Sequence, residues 1–74
     1  MPKLPRVTAR EMIRALRRAG WQITSQAGSY AHLTHPTKSG KVIVPIHGGD
    51  IKDGTLRSIL KQAGITPDEL RGLL

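Results

Sequence analysis

Apolar positions along the chain recur at helical spacing, then at alternate residues, then at helical spacing again. Ala9, Met12, Ile13 and Leu16 form the first stripe and predict a helix over Thr8 to Ala19. Thr8 and Glu11 have capping-box spacing, in which the hydroxyl and the carboxylate each satisfy a free backbone N–H, and Gly20 supplies the stop. Three stretches of period-two character follow. Trp21-Gln22-Ile23-Thr24 alternates and leads to a turn at Gln26-Ala27-Gly28-Ser29. In Tyr30 to His35, Ala31 and Leu33 point one way while Tyr30, His32 and Thr34 point the other. Turn residues His35 to Gly40 precede Lys41-Val42-Ile43-Val44, a β-branched strand stopped by Pro45. Leu56, Ile59, Leu60 and Ala63 make a second helical stripe, with Asp53 as N-cap and Gly64 as stop. Thr66-Pro67-Asp68-Glu69 then opens a short helix carrying Leu70, Leu73 and Leu74. The expected fold is α+β: a two-layer α-β-β-β-α domain over residues 1–74, with a meander sheet, both long helices on one face and a short C-terminal helix.

Composition narrows what such a domain does. At 74 residues the chain has no room for separate cofactor and substrate domains. The absence of cysteine rules out a disulfide framework, a thiolate metal site and a thiol nucleophile. No apolar run approaches the ~20 residues that span a bilayer, and Met1-Pro2-Lys3-Leu4-Pro5 lacks the apolar centre of a signal peptide, so a cytoplasmic protein is expected. Twelve Lys and Arg against five Asp and Glu give a net charge of +7. That excess on so small a surface favours a polyanion, and nucleic acid over a membrane, because no segment has a bulky apolar interfacial face.

Arg10, Arg14 and Arg17 share one helix face, with Arg18 beside them. They read equally as a solvated face or as a ligand-facing one. A helix–meander–helix layer is similar to the double-stranded-RNA-binding architecture, which reads shape, phosphates and 2′-hydroxyls. With Trp21 and Tyr30 as the only aromatics, no base-stacking platform can be assembled, and Trp21 is expected in the core. His32 shares the open strand face with Tyr30, one pleat repeat or roughly 6.5–7 Å away. Cleaving RNA without a metal needs a base for the 2′-hydroxyl proton, an acid for the leaving oxygen and cations around the phosphorane. His32 with Lys38, Lys41 and the arginine row can supply that; a solvated histidine without a task is the plain alternative. His35 and His47 fall at strand ends or in loops, and the three histidines lack ligand spacing, so no metal or other cofactor is expected. Gly48-Gly49-Asp50 lacks the pattern of a phosphate-binding loop, and Ser29 has no base-and-orienter arrangement.

With these residues in view, the chain resembles the HicA family of toxin ribonucleases from bacterial toxin–antitoxin modules. The resemblance rests on Gly20-Trp21, Gly28-Ser29, His35-Pro36, Val44-Pro45-Ile46-His47 and the run from Gly54 to Ile65, in that order and spacing. It implies a double-stranded-RNA-binding-like fold, metal-independent endoribonuclease cleavage of mRNA that halts growth, and a HicB-type antitoxin covering the active face. Tyr30 stands where the family's histidine usually follows the Gly-Ser pair. A phenol is a poor general base at neutral pH but can donate a proton. Either His32 takes over, or Tyr30 is the acid beside another base, or the chain binds RNA or antitoxin without cutting. The leading expectation is a ribonuclease with Tyr30 and His32 in the site and Arg10, Arg14, Arg17, Lys38 and Lys41 on phosphates. The others are a non-catalytic RNA-binding module and a protein-interaction partner for an acidic antitoxin.

Overall fold

A computed structural model describes residues 4–74, so the leading Met1-Pro2-Lys3 lies outside the described residues. The element order is α1 (Ala9–Arg18), β1 (Gln22–Ala27), β2 (Tyr30–Thr34), β3 (Lys41–Pro45), α2 (Asp53–Ala63) and α3 (Pro67–Leu73). This is the α+β architecture that the hydrophobic pattern predicts.

The helix ends follow their sequence signals, with one exception. Thr8 caps α1 and Thr66 caps α3, each with the reciprocal bond from a glutamate three residues on: Thr8 N–H to Glu11 at 2.9 Å and Thr66 N–H to Glu69 at 3.1 Å. Gly64 closes α2 in the left-handed conformation, φ 68°. Asp53 is not the cap of α2. Lys52 occupies that position without a side-chain bond, and Asp53 is the first helical residue. The carboxylate there acts on the helix dipole rather than on a backbone N–H.

The strands form an antiparallel sheet in the order β1-β2-β3. Ala27 pairs with Tyr30, leaving Gly28 and Ser29 as a two-residue loop. Only Gly28 has positive φ, 58°, the pattern of a type II′ hairpin turn whose twist suits the strands. β1 therefore continues through Gln26 and Ala27, residues that the composition assigned to the turn. β2 and β3 pair in strict register: Tyr30 with Pro45, Ala31 with Val44, His32 with Ile43, Leu33 with Val42 and Thr34 with Lys41.

Burial follows that alternation. Ala31, Leu33, Val42 and Val44 are fully buried against Met12, Ala15 and Leu16 of α1 and Leu56, Ile59 and Leu60 of α2. On α1 the stripe is rotated slightly from expectation, with Ala15 inside and Ile13 half-buried. Trp21 lies in the core, as its strand-head position implies. Every residue of β1 is exposed, so this edge strand lies beyond the shelter of the helices.

His35 closes the molecule behind Trp21. Its Nδ1 accepts from the Thr37 and Lys38 N–H groups at 3.1 and 3.3 Å, which leaves the proton on Nε2, 3.2 Å from the Ala19 carbonyl. The ring meets Trp21 edge-on at 5.3 Å. Gly20 makes room for it: φ is 98°, and a Cβ would sit 2.7 Å from His35 Nε2. Gly20→Ala should therefore lose about 1–3 kcal/mol from the backbone conformation alone. Urea unfolding by circular dichroism checks this, and an unchanged midpoint would contradict it.

The two capping glutamates give stability a pH dependence. The Thr8 backbone N–H, then its side chain, then the Arg14 charge, hold the Glu11 carboxyl below its ordinary 4.5. Thr66 does the same for Glu69, with a smaller effect from Lys38. A carboxyl depressed in the folded state stabilises above its unfolded pKa and loses that contribution as pH falls through the folded one. Glutamine keeps the capping box without the proton equilibrium. The Glu11→Gln/Glu69→Gln variant should thus lose less stability than the parent between pH 5 and pH 3, measured by thermal unfolding at each pH.

Candidate functional site

The II′ turn sets Tyr30 at the head of β2, 52% exposed on the face away from the helices. Its register partner Pro45 lies on β3, the other edge strand. The outward N–H of Ile43 is met by Gln62 Oε1 of α2 at 3.4 Å, and Pro45, two residues on, has no N–H to leave open. α2 thereby runs alongside β3, and the space between them is a groove of about 480 Å³. Its polar lining is Ser29, Tyr30, His47, Lys52, Thr55, Ser58 and Gln62.

His47, which the sequence places only at a strand end or in a loop, also lines this groove. The strand pattern ends at Pro45, but the alternate orientation persists beyond it, so that Pro45 and His47 face the same groove while Ile46 faces away. That continued period of two was the available signal. The loop carrying His47 is held by the Ile51 N–H bond to the Val7 carbonyl, 2.8 Å, and by a bridge between Thr8 and Asp50. Gly49, φ 84°, turns the chain between them.

The histidines differ in what their ring nitrogens meet. His47 is exposed, with Nδ1 3.4 Å from the Gly48 carbonyl; in the tautomer that carries its proton on Nδ1 toward that acceptor, the Nε2 lone pair is available. His32 is half-buried between Ser25 and Ile43, and its Nδ1 is shut off from solvent without a partner. Serving as a base through Nε2 would require a proton on that unpartnered Nδ1, where an orienting acceptor is normally found. His35 is committed to the Trp21 clasp at both nitrogens. Among the described residues no three His, Asp or Glu side chains converge on a metal position.

The cations expected on phosphates are dispersed. Lys41 shares the open face but stands opposite Thr34, about 13 Å along the strand from Tyr30. Lys38 Nζ donates to the Ala63 carbonyl at 3.3 Å, at the C-terminal end of α2. Arg10, Arg14 and Arg17 line a different groove, with Ile13, Arg18 and Ile46, that shares no residue with the one holding Tyr30. The cation that does line the Tyr30 groove is Lys52, at the head of α2, whose first turn has no side-chain cap and so keeps free N–H groups.

No curated protein matches the chain. A family profile does: residues 9–65, from the first residue of α1 to just past α2, match the family described as HicA toxin of bacterial toxin-antitoxin. The match takes in the hairpin, the Val44 to His47 segment and all of α2, the parts from which the groove is built. The chain belongs to the HicA toxin family of bacterial toxin–antitoxin systems.

Proposed function

We propose that this toxin is a metal-independent endoribonuclease that cleaves mRNA in the groove between β3 and α2. The observation that carries the reading is the convergence there of an imidazole with a free nitrogen, a phenol and a lysine: His47, Tyr30 and Lys52. His47 Nε2 takes the proton of a 2′-hydroxyl, and the freed O2′ attacks the adjacent phosphorus. Tyr30 donates its phenolic proton to the departing 5′-oxygen, leaving a 2′,3′-cyclic phosphate on one fragment and a 5′-hydroxyl on the other. Lys52 and the uncapped N–H groups of α2 offset the charge on the phosphorane, partly opposed by Asp53 in the same turn. Lys41 extends the phosphate track along the open face.

A second reading keeps the base on β2. His32 shares the open face with Tyr30, and its exchangeable nitrogen is Nε2 because Nδ1 is closed to solvent. The orphaned Nδ1 weighs against it. Either way the exposed Tyr30 and Ile43, 52% and 37% accessible, give a HicB-type antitoxin an apolar surface to cover.

Cleavage of a long mRNA by the purified chain in excess EDTA tests the reaction. Products with cyclic phosphate ends are expected, and intact RNA after long incubation would remove the enzyme reading in favour of a binding module. His47→Ala should lower the rate about 10²–10⁴-fold, the usual worth of a positioned base. Tyr30→Phe should fall by a similar factor and His32→Ala by far less. Full activity in His47→Ala with none in His32→Ala would return the base to β2.

A further inference from the structure

The groove that holds the arginine row lies between α1 and the segment following β3. It encloses about 670 Å³, larger than the Tyr30 groove, and its walls and floor differ in kind. Arg10, Arg14, Arg17 and Arg18 supply the walls, while Ile13 and Ile46, both half-buried and packed against the core, supply the floor. Among the described residues no acidic side chain lines it. The one acid of α1, Glu11, is turned back onto the Thr8 N–H in the capping box. Arg18 is tied by Nη1 to the Leu73 carbonyl at 2.8 Å, which fixes one end of the groove against α3.

We infer that this groove is a docking site for an acidic protein segment that carries aliphatic side chains. Four guanidinium groups, offset nearby only by the Glu11 carboxylate that feels Arg14 from the capping box, call for an anionic occupant. Guanidinium forks match carboxylates in bidentate geometry, and Arg10, Arg14 and Arg17 span one row of about 10 Å along the helix. The isoleucine floor decides the class of partner. A phosphate–ribose backbone offers only oxygen-flanked sugar carbons to set against Ile13 and Ile46, so binding there would cover apolar surface with a poorly matched contact. A leucine or isoleucine flanked by carboxylates satisfies floor and walls together, as an amphipathic helix does in an apolar groove. The inference does not depend on the ribonuclease reading, because the two grooves share no lining residue. They do share a wall: Ile46 faces this groove and the adjacent His47 faces the other.

The test uses the full chain, with isotope-labelled isoleucine methyl groups, and three probes. The first is a 16-residue helical peptide with leucines on one stripe and glutamates flanking it. The second has the same glutamates with the leucines changed to serine, and the third is a 2′-O-methyl RNA duplex that cannot be cleaved. The leucine peptide should bind and shift the Ile13 and Ile46 methyl signals, weakening as salt is raised. The serine peptide should bind at least tenfold more weakly, and so should the leucine peptide to an Arg14→Glu/Arg17→Glu variant. Arg18 is left intact in that variant to preserve its bond to α3, and unfolding curves confirm that it folds; the milder Arg14→Ala/Arg17→Ala pair should show the same trend. Equal affinity for both peptides, or no affinity for either, would overturn the inference. So would displacement of the leucine peptide by the RNA duplex with shifts at the same methyl groups, which would assign the groove to nucleic acid.

Discussion

A three-stranded sheet with one apolar face has one way to sit: Ala31, Leu33, Val42 and Val44 must go against the helices. A slip of one residue between β2 and β3 would turn the apolar pair of one strand out to solvent, so burial fixes the register. The fixed register then sends Tyr30, His32, Lys41, Ile43 and Pro45 to the opposite face. The polar and titratable side chains of these strands are displaced to the open face and to the edges by the demands of the core, and the II′ turn at Gly28-Ser29 sets where that face begins.

The edges of this sheet are treated differently. β3 is closed off by Gln62 and by Pro45, and the groove forms where α2 comes alongside to do so. β1 lies beyond the helices with all its residues exposed, and its bulge between Ile23 and Ser25 interrupts the flat edge that another strand would need. Pro45 blunts the edge strand, and the alternation that continues past it sets Ile46 and His47 on opposite sides. One short segment separates an apolar-floored basic groove from a groove lined by hydroxyls, an imidazole and a lysine.

Much of this was legible in the sequence, because periodicity and capping are local. The Thr8 and Thr66 boxes, the Gly64 stop and the alternation of Tyr30 to Thr34 all act within a few residues, and each has the expected place. What was not legible depends on contacts distant in sequence. Lys38 looks like a free loop cation but meets the Ala63 carbonyl 25 residues away. His35 looks like one histidine among three, yet its partners are Ala19 and Trp21 across the fold. The arginine row and the open strand face each declare themselves by spacing, but spacing does not say that they line separate grooves. His47 was hidden for a smaller reason: the β-branched pattern stops at Pro45, while the alternation of side chains, supported by the Ile46 N–H bond to the Ser29 carbonyl, continues past it.

If the toxin cleaves RNA beside α2, polynucleotide lies along the open face and into that groove. Titrating the isotope-labelled protein with a single-stranded 2′-O-methyl RNA, and mapping the amide and side-chain signals that move, tests it most directly. The largest shifts should centre on Tyr30, His47, Lys52 and Thr55. Shifts centred on Arg10, Arg14 and Arg17, with the Tyr30 and His47 signals still, would contradict it.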